Sequence, residues 1–127
     1  MKVVHYERIE QAPVAQEGAV GVRMRCLIGE QDNAPSFTMR QFEVAPGGCT
    51  PRHGHNYEHE VFVLEGSGVV CEEHGENAIH AGSVILVRPN EIHQFRNTGN
   101  GPLKFLCLIP HPLRGMVGSC VAACGCQ

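Results

Sequence analysis

Four histidines carry the strongest chemical signal in the chain. His53, His55 and His59 fall in one short run, His-Gly-His-Asn-Tyr-Glu-His-Glu, and His93 lies well downstream. Neutral imidazole suits borderline divalent metals, so a convergent set of these rings would hold one ion. Side chains two positions apart on a strand share a face. If the segment from 53 to 61 is extended, the odd-numbered His53, His55 and His59 all point the same way, and His93 approaches from a second strand. The plainer reading of the same run is a polar loop of solvated histidines, and composition alone does not choose between the two. His5, His74, His80 and His111 lack matched neighbours and read as surface or turn residues. No nucleophile motif, phosphate loop or dinucleotide motif is present.

A second cluster sits at the C-terminus, where Cys120, Cys124 and Cys126 fall within the last eight residues. Cys-x-Cys pairs can chelate soft metals such as Cu(I) or Zn, or exchange disulfides. The plainer reading is a terminus whose thiols do nothing specific. Either way, the tail is expected to stand apart from the histidine site. The seven cysteines form no secreted disulfide pattern. With an odd count and no apolar leader in the first residues, a reducing, cytoplasmic setting is expected.

The elements that must position the histidines read as short strands. With 127 residues, 43% hydrophobic, 18% charged and a formal net charge of -3, the chain has an ordinary globular profile suited to one domain. No Lys/Arg cluster marks a nucleic-acid surface, and no apolar run approaches the roughly 20 residues that span a bilayer. Strands are expected over 20–28, 37–45, 59–65, 69–73, 76–80, 83–88, 92–97 and 103–109, with turn signals between them and no convincing helical period before residue 111. Pro46-Gly47-Gly48 reads as a turn. The segment Gly66-Ser67-Gly68 reads as the tip of a hairpin joining 59–65 to 69–73. Val61-Phe62-Val63-Leu64 is apolar at every position, so both of its faces should be covered. A second copy of the chain is the expected cover on the outside.

Two stretches resemble the paired motifs of the cupin family. The first is Gly47-Gly48-Cys49-Thr50-Pro51-Arg52-His53-Gly54-His55, followed by Val61 to Leu64 and the closing Gly66. The second is Gly82, Asn90, His93 and Asn97. The resemblance covers about residues 19–110. It implies an all-β fold, a double-stranded β-helix (a jelly-roll or cupin barrel), with a short C-terminal extension. It also implies three parts: an N-terminal segment over 1–18, the barrel over 19–110 and the Cys-rich tail over 111–127. The chain departs from the pattern at three places, one of them the proline of the second motif, whose position is held by Arg88 with Pro89 one place on. Where the family usually carries a glutamate, seven residues before the closing glycine, this chain has His59, flanked by Glu58 and Glu60. This looks like the four-histidine variant of small cupins; the alternative is that Glu58 or Glu60 is the ligand, and strand parity turns Glu60 away from His59. In the second motif Asn90 stands for a glycine, and Asn tolerates the left-handed backbone that such a turn needs.

The resemblance implies one divalent transition metal per chain (Mn, Fe, Ni or Zn) on His53, His55, His59 and His93. The family includes dioxygenases, isomerases and decarboxylases, and also sugar-binding and storage members without catalysis, so the fold does not choose a function. The expectation is a metal-binding cupin acting as a dioxygenase- or isomerase-like enzyme on a small organic molecule. The alternative is a non-catalytic binding, sensing or metal-handling domain. Glu58 and Glu60 are candidates to hydrogen-bond the N–H groups of the ligands, or else form a surface charge pair. Val61, Val63 and Phe95 should face the pocket by parity. Arg40 and Arg88 are candidates to pair with an acidic substrate, although an arginine at a sheet rim is more often solvated. A homodimer and a small-molecule ligand are the expected partners; nucleic acid and membrane are not.

Overall fold

The computed structural model describes residues 1–111; Cys120, Cys124 and Cys126 lie outside the described residues. Nine strands run in the order β1 (Ala12–Pro13), β2 (Val20–Ile28), β3 (Phe37–Cys49), β4 (His59–Glu65), β5 (Ser67–Cys71), β6 (Glu76–His80), β7 (Val84–Val87), β8 (Gln94–Asn97) and β9 (Leu103–Pro110). Two single 3₁₀ turns, Tyr6–Arg8 and Glu30–Asp32, are the only helical pieces among the described residues. The strands form one curled antiparallel sheet in the order β6-β5-β8-β3-β9-β4-β7, with β2 and then β1 added on β3. The all-β jelly-roll expectation is thus met.

Alternation along the long strands builds the interior. On β9, Leu103, Phe105, Cys107 and Ile109 are buried while the residues between them are not. On β3 the inward set is Thr38, Arg40, Phe42 and Val44. Register brings these into rows, with Arg40 opposite Cys107, Phe42 opposite Phe105 and Val44 opposite Leu103. From the other side of β9, Val61 meets Cys107 and Val63 meets Phe105. Phe105 stacks on Phe42 at 5.4 Å and on Phe95 at 4.7 Å between ring centroids. Burying each such ring contributes roughly 1.5–3 kcal/mol, and the stack forms a rigid apolar layer beneath His93.

Two local expectations are corrected. Pro46-Gly47-Gly48 does not end a strand, because β3 runs on to Cys49. The extra residues are absorbed by a bulge, with β2 pairing shifting from Val22–Val44 to Val20–Cys49. The hairpin about Gly66-Ser67-Gly68 does not form. β4 pairs with β7 and β9, and β5 pairs with β6 and β8. Gly66, at φ +90°, lets the chain pass between the two halves of the sheet, and a Cβ there would overlap the Pro102 carbonyl. The hairpin lies instead between β5 and β6, closed by Glu72 N–H to the Gly75 carbonyl at 2.7 Å. Val61 and Val63 are buried, whereas Phe62 and Leu64 remain 46% and 43% exposed, so within one chain only the inner face of β4 is covered.

Candidate metal centre

Two short stretches deliver the histidines. His53 and His93 form an isolated antiparallel bridge, with backbone N–H to carbonyl bonds of 3.2 and 2.9 Å in the two directions. The link from β3 is made at Thr50, whose hydroxyl accepts from the Phe95 N–H at 2.9 Å. His59 opens β4. The stretch between His53 and His59 bends at Asn56 and Tyr57 and is not one extended strand. The rings converge all the same, because the bend folds His55 back over His59. Asn90 has φ +70°, the left-handed turn expected of the residue standing in for glycine. Asn97 is buried and its amide donates to the Val44 and Gly101 carbonyls, both at 2.8 Å, tying β8 to the turn before β9.

The nitrogens of His53, His55 and His93 lie within 4.8 Å of one another. His59 joins from the β4 side, with its Nε2 at 2.6 Å from His55 Nε2 and its ring 5.2 Å from that of His93. Two imidazole lone pairs repel at that separation unless a proton or a cation lies between them. Adjacent nitrogens on one tetrahedral zinc-like ion, with bonds of about 2.1 Å, would be separated by roughly 3.4 Å. The opposite ring edges are anchored. His55 Nδ1–H donates to the Tyr57 carbonyl and His93 Nδ1–H to the Glu91 carbonyl, each at 2.9 Å, which leaves both Nε2 lone pairs free for the centre. His59 Nδ1 is 2.7 Å from Cys107 Sγ. Tyr57 stacks on His55 at 4.0 Å and 7° and fixes its plane.

The electrostatics keep the rings neutral, the form that binds metal. Burial, then the proximity of His93, lowers His53 and His55 to about 4. His59 is pushed well below the ordinary imidazole value by burial and then by the Arg40 charge. Burial also lowers His93. His53 and His55 are half-buried while His59 and His93 are buried, so solvent reaches the set from the His53/His55 side. The neutral imidazoles of His53, His55 and His93 are a donor set that could hold one divalent transition metal, with His59 beside them.

The other sequence candidates separate. Phe95 lies beside His93, with ring centroids at 6.5 Å, and Val61 and Val63 are in the core. Glu58 and Glu60 turn toward each other instead. Their mutual hydrogen bond raises Glu58 above the usual carboxylate range, and the Nδ1 partners of His55, His59 and His93 are two carbonyls and a thiol. Arg88 is exposed, as an arginine at a rim should be. Arg40 is the opposite, fully buried beside the centre. Cys107 was missed as a site residue. Alternation on β9 turns it inward, but nothing local to it in the sequence reveals that it meets both His59 and Arg40.

An antiparallel jelly roll with histidines converging from two motif stretches defines a cupin-type barrel. Residues 40–109 match the cupin domain family, and the chain belongs to it. Among solved structures it is similar to the polyketide cyclase RemF from Streptomyces resistomycificus. The two are 33% identical with a TM-score of 0.83, over 88% of this chain and 80% of that one. It is also similar to auxin-binding protein 1 of Arabidopsis thaliana, 40% identical over 54% of this chain and 39% of that protein. A third relative is the oxalate-binding protein of Thermotoga maritima, 34% identical over 54% of this chain and 58% of that protein. The chain spans about half the length of the curated relatives it matches, 39% to 58% of three of them. No helix among the described residues is long and apolar enough to cross a membrane.

Proposed function

We propose that this cupin holds one divalent transition metal (Mn, Fe, Ni or Zn) on His53, His55, His59 and His93 and acts as a metal-dependent enzyme on a small organic molecule. The observation that carries the reading is the anchoring of His55 and His93 through Nδ1 to carbonyls, which turns both Nε2 lone pairs to one point shared with His59. The metal would supply Lewis acidity toward a substrate oxygen. The chain's own contribution is placement: Tyr57 and Glu91 hold the ring orientations, and Phe95, Val61 and Val63 supply an apolar wall that excludes water. Dioxygenase and isomerase chemistry both begin with a substrate oxygen at such a centre. The likeness to a polyketide cyclase favours substrates with enolisable carbonyls.

A non-catalytic binding role is the second reading, favoured by relatives named for auxin and oxalate binding. Elemental analysis of tag-free protein, followed by product detection with β-dicarbonyl compounds under each metal, separates the two. One ion per chain with turnover supports the first reading. One ion with saturable binding and no turnover supports the second, and absence of any ion overturns the metal site itself.

The remaining assignments belong to the same proposal. Residues 19–110 act as the barrel domain, with 1–18 and 111–127 as flanking segments in a cytoplasmic protein. The exposed apolar face of β4 and β7, bearing Leu64 and, around a depression of about 360 Å³, Phe62, Val84 and Leu86, is the surface that a second copy would cover.

A further inference from the structure

Arg40 is the feature that a metal on four histidines leaves unexplained. Its side chain has 0% exposure on the inner face of β3. The guanidinium lies over the Phe42 ring, 5.1 Å from its centroid, and Nη2 donates to Cys107 Sγ at 3.4 Å. Nε and Nη1 are buried without a hydrogen-bond partner among the described residues. No carboxylate pairs with Arg40 among the described residues, and residues 112–127 contain neither Asp nor Glu.

Buried charges are ordinarily paired, and arginine cannot escape the cost by losing its proton. The contact to Cys107 Sγ, at 3.4 Å, is a long hydrogen bond to a sulfur and leaves the other guanidinium donors unmatched among the described residues. Arg40 stands one side chain away from the histidine ring, because the Cys107 Sγ that its Nη2 contacts also lies 2.7 Å from His59 Nδ1. Four imidazoles add no negative charge of their own. A divalent ion and a guanidinium would then share one barrel interior with no fixed anion between them among the described residues. Such an interior selects a ligand that brings negative charge with it.

We propose that Arg40 is an oxyanion-binding residue of the substrate site, accepting a carboxylate or enolate oxygen through the donors left free on its Nε and Nη1. This rests on the histidine ring being the substrate site and adds the charge class of the substrate. The planar fork matches a carboxylate or an enolised dicarbonyl better than a point charge would. The Cys107 contact on Nη2 and the Phe42 face hold the guanidinium in place without neutralising it.

The test uses the full chain in zinc-loaded and metal-free forms, with sodium acetate as probe, sodium chloride at matched ionic strength as control and imidazole as neutral competitor. The Arg40 Nε–H resonance, assigned by its loss in Arg40→Lys, is followed by NMR. Acetate should shift it saturably and chloride should not. Arg40→Met should lower acetate affinity by at least about tenfold, the loss of one charged hydrogen-bonding group, while imidazole affinity stays within about twofold and Arg40→Lys falls between. An unmoved resonance, an equal shift with chloride, or equal weakening of acetate and imidazole in Arg40→Met would overturn the proposal. If Arg40→Met does not fold, the wild-type resonance and the Arg40→Lys affinity decide. Failure of the metal reading is separate: zinc would not bind at all, and the acetate response of the metal-free chain would still decide the role of Arg40.

Discussion

Replacing His59 by Ala probes the ligand on which the four-histidine site depends. The substitution removes a buried imidazole whose Nε2 lies 2.6 Å from His55 Nε2 and whose Nδ1 lies 2.7 Å from Cys107 Sγ. Four-ligand zinc sites have apparent binding energies of roughly 10–16 kcal/mol. Shared evenly, one ligand stands for about 2.5–4 kcal/mol, which is about two to three decades in Kd. The metal-free fold should suffer less. The loss of ring packing and one buried polar contact costs about 1–3 kcal/mol, offset in part by relief of the close His55 contact. Chelator competition measures the metal Kd, and urea unfolding of the metal-free variant measures the fold. Glu58→Gln and Glu60→Gln serve as controls and should keep the wild-type Kd, because those two carboxylates face each other. The reasoning is refuted if His59→Ala binds metal like the wild type while either glutamine variant loses it, since the carboxylate would then be the ligand.

Three further outcomes are expected. Metal-free protein should lose stability as pH falls from about 6.5 toward 4. His53 and His55 titrate near 4 when folded and near 6.5 when unfolded, so the unfolded chain takes up protons first across that window. Urea midpoints that are equal at both ends of the window, or a fall that persists unchanged in a His53→Asn/His55→Asn variant, would contradict this. Cys107→Ala should weaken metal binding by about 10–100-fold by freeing the His59 ring, and Cys107→Ser should restore most of it. Identical affinities for the two variants would remove Cys107 from the site. Leu86→Lys, placed on the exposed apolar face, should halve the mass seen by light scattering if that face joins two copies. A wild type that is already monomeric at high concentration would dispose of the dimer.

Much of the barrel is legible in local patterning. β4 begins and ends at His59 and Glu65, and β9 covers the expected 103–109 with one residue added, because alternation and flanking turn residues are local properties. Pairing is less visible. The apparent hairpin at Gly66 has the right turn chemistry, yet β4 and β5 are sent to different neighbours. Partner choice depends on which inward rows interdigitate across the whole sheet, and that energy has no local signature.

The centre divides along the same line. The sequence by itself singled out four candidate histidines and the inward parity of Val61, Val63 and Phe95 and, through the family resemblance, the left-handed turn at Asn90, since each rests on residue type and short-range spacing. The tertiary structure alone decided that Arg40 is sealed in the interior, that Cys107 stands between it and His59, and that Glu58 and Glu60 pair with each other. An arginine on a strand has the same local sequence whether its strand lies at a rim or at the middle of a curled sheet. Only the closing of β3 against β9 and β4 determines whether water remains beside it, and so whether its charge must find a partner.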